Sequence, residues 1–339
     1  MNGKQRIETV LEGEWPDKRP VMLHNFLLAI EESGYTHKQY REDPEVAAKV
    51  HIISTEKYDP DGVLIDIDTA TLAGAAGVEI DFPVNDPARC HKPLLKSLEE
   101  VNSLEKIDIS KNERVHIWLE TTRLVKKYFG NEKYIRGNCD QAPFSLASMM
   151  RSPSQWMIDI LMEDPLVFKL LDFCTDITSQ FIELMAATGA DMVSNGDSPA
   201  GPDMISPGQY AEFALPYEAQ VVKKAHSLGV PHMLHICGRT DLILDKMVLS
   251  GTNSIELDYK TNIRLVQDIC KESKVVFSGN IDPTGVIAFG TPTVVEEKVI
   301  EILSVFRDNP MLIMNAGCAI PAKTPEENIR KLIEVTRRY

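Results

Sequence analysis

No stretch of the chain stays apolar for anything near the ~20 residues a membrane span requires, so insertion into a bilayer is not expected. Cysteine is sparse. The six cysteines, Cys90, Cys139, Cys174, Cys237, Cys270 and Cys318, are spread over 339 residues without the density of a disulfide scaffold, and they read as reduced thiols. Cys174 and Cys270 fall in helix-like segments, "VFKLLDFCTDI" and "LVQDICKES", where a thiol acts as a small hydrophobe. Positive charge is short as well: 36 Lys and Arg stand against 50 Asp and Glu, a formal charge of −14. That balance argues against binding a nucleic-acid backbone and leaves small molecules or proteins as partners. There is no low-complexity linker, no short repeat and no secretory pattern at the start, where "MNGKQRIETVLEGEWPDKRP" reads as an amphipathic helix with acidic residues throughout. A cytoplasmic protein is expected.

The chain is 43% hydrophobic and 25% charged, enough to build a large core. Eight β-rich runs recur, each ending in polar or glycine-containing sequence: "PVMLHN" (20–25), "GVLIDID" (62–68), "YIRGNCD" (134–140), "DMVSNGD" (191–197), "HMLHICG" (232–238), "SIELD" (254–258), "VVFSGNID" (275–282) and "MLIMNAGC" (311–318). Segments with helical periodicity lie between most of them, among them "PEVAAKVHIISTEKY", 152–189 and 206–229. Strand followed by helix, eight times over, is the pattern of an α/β protein with a closed (β/α)8 TIM barrel; an open doubly wound sheet is the competitor. The expectation is one barrel domain over 1–339, residues 1–19 forming an N-terminal helical extension, and 69–133 supplying extra loops over the barrel mouth.

In such a barrel the chemistry sits at the C-terminal strand ends. Here those ends carry His24, Asn25, Asp66, Asp68, Asn138, Asp140, Asn195, Asp197, His235, Cys237, Glu256, Asp258, Asn280, Asp282, Asn315 and Cys318. Side chains alternate along a strand, so His235 and Cys237 in "HMLHICGRTD" point to the same face. An HxC pair alone is weak evidence for a metal. Cys318 strengthens it, because it ends the eighth strand just after Gly317, where the backbone has room. One imidazole and two thiolates suit zinc with an open fourth position. Glu256 or Asp258, on the intervening strand, is the candidate to fill that position until substrate displaces it. Asp68 and Asp197 are the candidate catalytic carboxylates, and Asn138 and Asn195 the candidate cofactor-binding groups.

"LHICGRT" with "NAGCAIP" resembles the HxC…C zinc signature of the cobalamin-dependent methyltransferases, a branch of the uroporphyrinogen decarboxylase superfamily. The likeness extends to "RIETVLEGEWPDKRPV", "GVLIDIDTATLAGAAGVEIDFP", "GNCDQAPFSLASMMR", "GADMVSNGDSPAGPDMISPGQYAEFALPY" and "NAGCAIPAKTPEENIRKLIEV". It implies a (β/α)8 barrel, zinc held by His235, Cys237 and Cys318, and methyl transfer from a corrinoid protein to a thiol such as coenzyme M. The decarboxylase branch resembles this chain less: its arginine-rich "RQAGR" motif is replaced by "LHNFLLA", and its tyrosine falls at Met149. The decarboxylases also have a histidine where this chain has Cys318. Asp68 does fall where their substrate-binding aspartate lies.

In that chemistry zinc would deprotonate the acceptor thiol. The DxHxxG element of a cobalamin-carrying module is missing, since "KKAHSLG" has Lys224 in place of the Asp, so the corrinoid must come from a partner protein. Two alternatives within the fold remain at this stage. One is the reverse transfer, from an O-, N- or S-methyl compound to a corrinoid protein, and the other is a decarboxylase-like enzyme. A zinc-stabilised scaffold that binds a corrinoid protein without chemistry is a further alternative. A sulfonate on the acceptor would need cationic or amide donors, for which Arg151, Arg239 and Lys323 are the residues considered.

Overall fold

All eight β-rich runs form parallel strands: β1 (Met22–Leu23), β2 (Gly62–Ile65), β3 (Tyr134–Gln141), β4 (Met192–Gly196), β5 (His232–Ile236), β6 (Ser254–Leu257), β7 (Val276–Ile281) and β8 (Leu312–Ala316). The computed structural model, which describes residues 1–338, pairs them in chain order. A parallel bridge from Val21 to Met314 joins β8 to β1. The result is a (β/α)8 barrel. Strands such as β2, β6 and β7 are buried along their whole length, because one face fills the barrel and the other meets the helices.

The N-terminal helix, Gly3–Leu11, is shorter than the expected 1–19, and the residues after it run on without helix. Asn2 and Gln5 close its first turn as a reciprocal capping box. Its buried residues Ile7 and Val10 pack with Met22, Tyr134, Met192, Met233, Val276, Met311 and Ile313, one apolar layer contributed by the strand starts. The helix thus plugs the N-terminal end of the barrel. Ion pairs from Lys4 to Asp191 (2.6 Å) and from Arg6 to Asp61 (2.9 Å) tie it there.

Part of the long β2–β3 connection runs beside the opposite end, where Thr69 and Pro87 reach the open mouth. The connection contains the short helix Thr71–Ala75, a two-stranded hairpin (Ile80–Asp81 with Arg89–Cys90) and the helix Glu113–Phe129. Arg41 donates to the carbonyl of Asp86 at 2.7 Å and steadies the hairpin loop, whose Pro87 reaches the cavity at the mouth.

Two helical runs differ from their sequence reading. The segment 152–189 divides into Pro153–Leu161 and Leu166–Ala186, broken before Pro165. The segment 206–229 contains a π turn, Tyr210–Ala214, ahead of the helix Leu215–Ser227. Pro216 has no N–H to return to the preceding turn, so the turn widens around it. Among the described residues, no helix is long and apolar enough to cross a membrane.

Candidate metal centre

His235, in β5, and Cys237, just past its end, project to the same side of the barrel mouth, and Cys318 arrives from beyond β8. One ligand atom from each lies within 4.8 Å of the others, and this is the group that the described residues bring together. His235 Nε2 is 2.9 Å from Cys237 Sγ, and the two sulfurs are 3.6 Å apart. Glycines permit the approach. A Cβ on Gly317 would lie 2.7 Å from the backbone nitrogen of Tyr259, so only glycine lets the chain before Cys318 run against the end of β6. Gly238 turns the chain away after Cys237 with φ of 82°. The Cys237 N–H donates to Ser198 Oγ at 3.2 Å.

The two thiols are within hydrogen-bond reach of each other. Hydrogen bonding to Cys318 holds Cys237 below the ordinary thiol range, while the same bond, with burial, pushes Cys318 up to about 12. A thiol whose ionisation is eased, beside an imidazole and a second sulfur, is a donor set that fits zinc.

That cavity, about 290 Å³, has a charged floor inside the barrel. Arg136 pairs with Glu256 and donates through Nε to Ser194 Oγ at 2.8 Å. Burial opposes ionisation of Glu256, yet the Arg136 guanidinium and the two facing histidines hold its carboxyl well below the usual range. Its Oε1 lies 3.5 Å from Nδ1 of both His24 and His235. Nε2 of His24 meets Asp66 Oδ2 at 2.7 Å. Although burial pushes His24 down, its bonds to Asp66 and Glu256 carry it up to about 10. At the end of β3 a bulge between Asn138 and Gln141 and a left-handed Asp140 (φ 58°) swing the Asp140 carboxyl to the cavity wall. A non-glycine residue in that region carries strain, a frequent mark of a functional site.

The remaining expected residues divide. Glu256 sits behind His235, on the Nδ1 side, where it orients the ring so that Nε2 faces the sulfurs. Asp258 is engaged by the N–H groups of Gly238 (3.2 Å) and Lys260 (3.0 Å) and stands outside the cavity lining and the ligand group. Asn138 does line the cavity and accepts from Ser194 Oγ at 3.3 Å. Asn195 does not: its amide donates to the carbonyl of Cys139 and its oxygen faces His232 Nε2, both within the barrel wall. Asp68 and Asp197, expected as catalytic carboxylates, are both buried and stand outside the cavity lining. Asp68 caps Ala70 and Thr71 at the helix Thr71–Ala75, and Asp197 accepts from the N–H and hydroxyl of Ser145 in the helix Pro143–Arg151.

Sequence reasoning passed over Arg136, and it left His24, Asp66 and Asp140 in the list of strand ends without a role. Arg136 was detectable, since a charged side chain in the middle of a barrel strand must find a buried partner. Glu218, which accepts from the Tyr210 hydroxyl and interacts with Asp197, lay in a helix with no motif to mark it.

Residues 2–339 match the family described as uroporphyrinogen decarboxylase (URO-D). The methylcobamide:CoM methyltransferase of Methanosarcina acetivorans is 30% identical over 73% of this chain and 70% of its own length. The uroporphyrinogen decarboxylase of Parasynechococcus marenigrum is 27% identical over 86% of this chain and 82% of its own. In fold, a methyltransferase from Methanosarcina mazei superposes with a TM-score of 0.90 at 22% identity, covering 100% of this chain and 99% of that one. With the match spanning nearly its whole length, and with a methyltransferase at 30% identity, the chain belongs to the uroporphyrinogen decarboxylase family and, within it, to the methyltransferases.

Proposed function

We propose that this enzyme holds one zinc ion through His235, Cys237 and Cys318 and moves a methyl group between a corrinoid on a separate protein and a small thiol. The convergence of one imidazole nitrogen and two sulfurs within 4.8 Å at the floor of an open cavity carries this reading. The methyltransferase of Methanosarcina acetivorans, whose name specifies methylcobamide and CoM, supports the direction and the class of acceptor. Zinc at this position would supply the positive charge that lets an acceptor thiol lose its proton near neutral pH.

The chain's own residues do the rest. Glu256 fixes the His235 ring from behind, and Arg136 keeps Glu256 ionised and in place. Phe26, Leu27 and Ala319 line the cavity with apolar surface that limits water around the reacting sulfur. Asn138, with its amide at the cavity wall, is placed to meet the incoming corrinoid or substrate. The site where decarboxylases resemble one another in an arginine-rich motif is filled here by "LHNFLLA", of which His24, Phe26 and Leu27 line the cavity.

Metal analysis of the purified protein should find about one zinc per chain, as expected for a single three-ligand site. Cys237→Ala or Cys318→Ala should lower both zinc and transfer from a methylated corrinoid protein, with the far-UV circular dichroism unchanged. Normal zinc content in either variant would remove the centre. Demethylation of a methyl ether or methylamine, with no transfer to any thiol, would reverse the direction instead.

A further inference from the structure

We propose that His24 is a positioning residue of the metal centre, holding the Glu256 carboxylate in the place from which it orients the His235 ring. The proposal rests on the zinc site of the preceding reading and adds a residue to its support. Arg136 pairs with Oε2 of Glu256. A carboxylate held at one oxygen can still turn about its terminal torsion, which has broad minima, so the other oxygen needs a fixed partner of its own. That oxygen, Oε1, faces Nδ1 of His235 and Nδ1 of His24, each at 3.5 Å, and none of these three buried atoms has another hydrogen-bond partner. One carboxylate oxygen can accept from two N–H groups, so Glu256 is placed to serve both rings at once. His24 is anchored in turn on its far side, where Nε2 meets Asp66 Oδ2 at 2.7 Å.

The same residue reaches the other half of the ligand set through its backbone. Its N–H donates to Asn315 Oδ1 at 3.0 Å and its carbonyl accepts from the N–H of Ile320 at 2.8 Å. The segment between Asn315 and Ile320, which carries Cys318, is therefore tied to the end of β1. The ring itself stacks on Phe26, with centroids 5.7 Å apart, and forms part of the cavity wall. A change of side chain leaves the backbone bonds in place, so it separates the hold on His235 from the hold on Cys318. A carboxylate that orients a metal-bound histidine is worth about ten- to a hundredfold in metal affinity. Here that carboxylate is gripped at both oxygens, by Arg136 on one and by His24 on the other.

The test compares two neutral, polar replacements of one ring. In His24→Gln the side-chain amide stands where Nε2 was, so the contact to Asp66 is kept and the donor to Glu256 is lost; in His24→Asn the amide stands where Nδ1 was, and the donor to Glu256 is kept. Zinc affinity is read by competition with a chromogenic chelator, and the geometry of the centre by the visible absorption bands of the cobalt(II)-substituted protein. His24→Gln should weaken zinc by about tenfold or more and shift the cobalt bands, whereas His24→Asn should stay close to wild type in both. Asp66→Asn, which loosens the far side of the ring, takes the place of a variant that fails to fold by circular dichroism, and it too should weaken zinc. Wild-type affinity and bands in His24→Gln, or equal losses in the Gln and Asn variants, would overturn the proposal. Absence of zinc from the wild type would remove the centre and this role with it, while zinc bound without transfer to any thiol would remove the transfer reading and leave the role standing.

Discussion

At the scale of single residues, buried carboxyl groups do two opposite things in this protein. Glu256 is kept ionised by Arg136, whereas Asp197 and Glu218 face each other without a cation, and burial favours the neutral form of both. Burial pushes Asp197 up to about 6 and Glu218 well above its ordinary value of 4.5. Tyr210 donates its hydroxyl to Glu218, and Ser145 donates to Asp197. A raised carboxyl pKa means that the folded state keeps a proton the unfolded chain has released, so stability from this pair is full at low pH and is lost as pH rises. Glu218→Gln reproduces the protonated form with no charge to bury. The variant and the wild type should therefore melt alike near pH 4, and by pH 7 the variant should be higher by roughly 2 °C or more, the effect of about 1 kcal/mol in a domain this large. Melting curves across that range decide it; a constant difference would mean that the pair holds no proton.

At the scale of elements, the eight strands were legible because each is a short apolar run ending in polar residues, and the helix Pro44–Tyr58 was legible from its period. Which polar end faces the cavity was not. Ser194, Asn195, Gly196 and Asp197 offer polar or small residues in both phases of β4, so alternation could not choose between Asn195 and its neighbours. In β5 it could, because Leu234 and Ile236 mark the opposite face and leave His235 and Cys237 together. β3 defeats the rule altogether: its bulge changes phase between Asn138 and Gln141 and brings Asp140 to the wall. Gly317 was read correctly as room for the backbone, and the contact it makes is testable. In Gly317→Ala the new Cβ would meet Tyr259 N at 2.7 Å and Leu257 O at 3.1 Å, both backbone atoms that cannot rotate away. The variant should lose about 1–3 kcal/mol by overpacking and should bind zinc more weakly, because the displaced segment carries Cys318. Normal zinc affinity would mean that the end of β8 adjusts without moving its ligand.

At the scale of the whole molecule, the two ends of the barrel are built for different tasks. The N-terminal end is sealed by a helix whose cations pair with Asp61 and Asp191, and Lys126 reinforces the latter pair at 2.7 Å. The C-terminal end is open and carries the polar strand ends. The sequence marked the first segment as a helix, but it could not show that the helix closes the barrel, because the partners of Ile7 come from six different strands, most of them far away in the chain. This separation predicts that stability and metal binding can be changed independently. Ile7 is fully buried in the floor layer, so Ile7→Ala should leave a cavity and cost about 2–5 kcal/mol, read as a lower denaturant midpoint with an unchanged slope. Zinc content and thiol affinity of the folded variant should stay at wild-type values, since the ligands stand at the other end of the strands. Loss of zinc in step with stability would show instead that the floor and the mouth open as one cooperative unit.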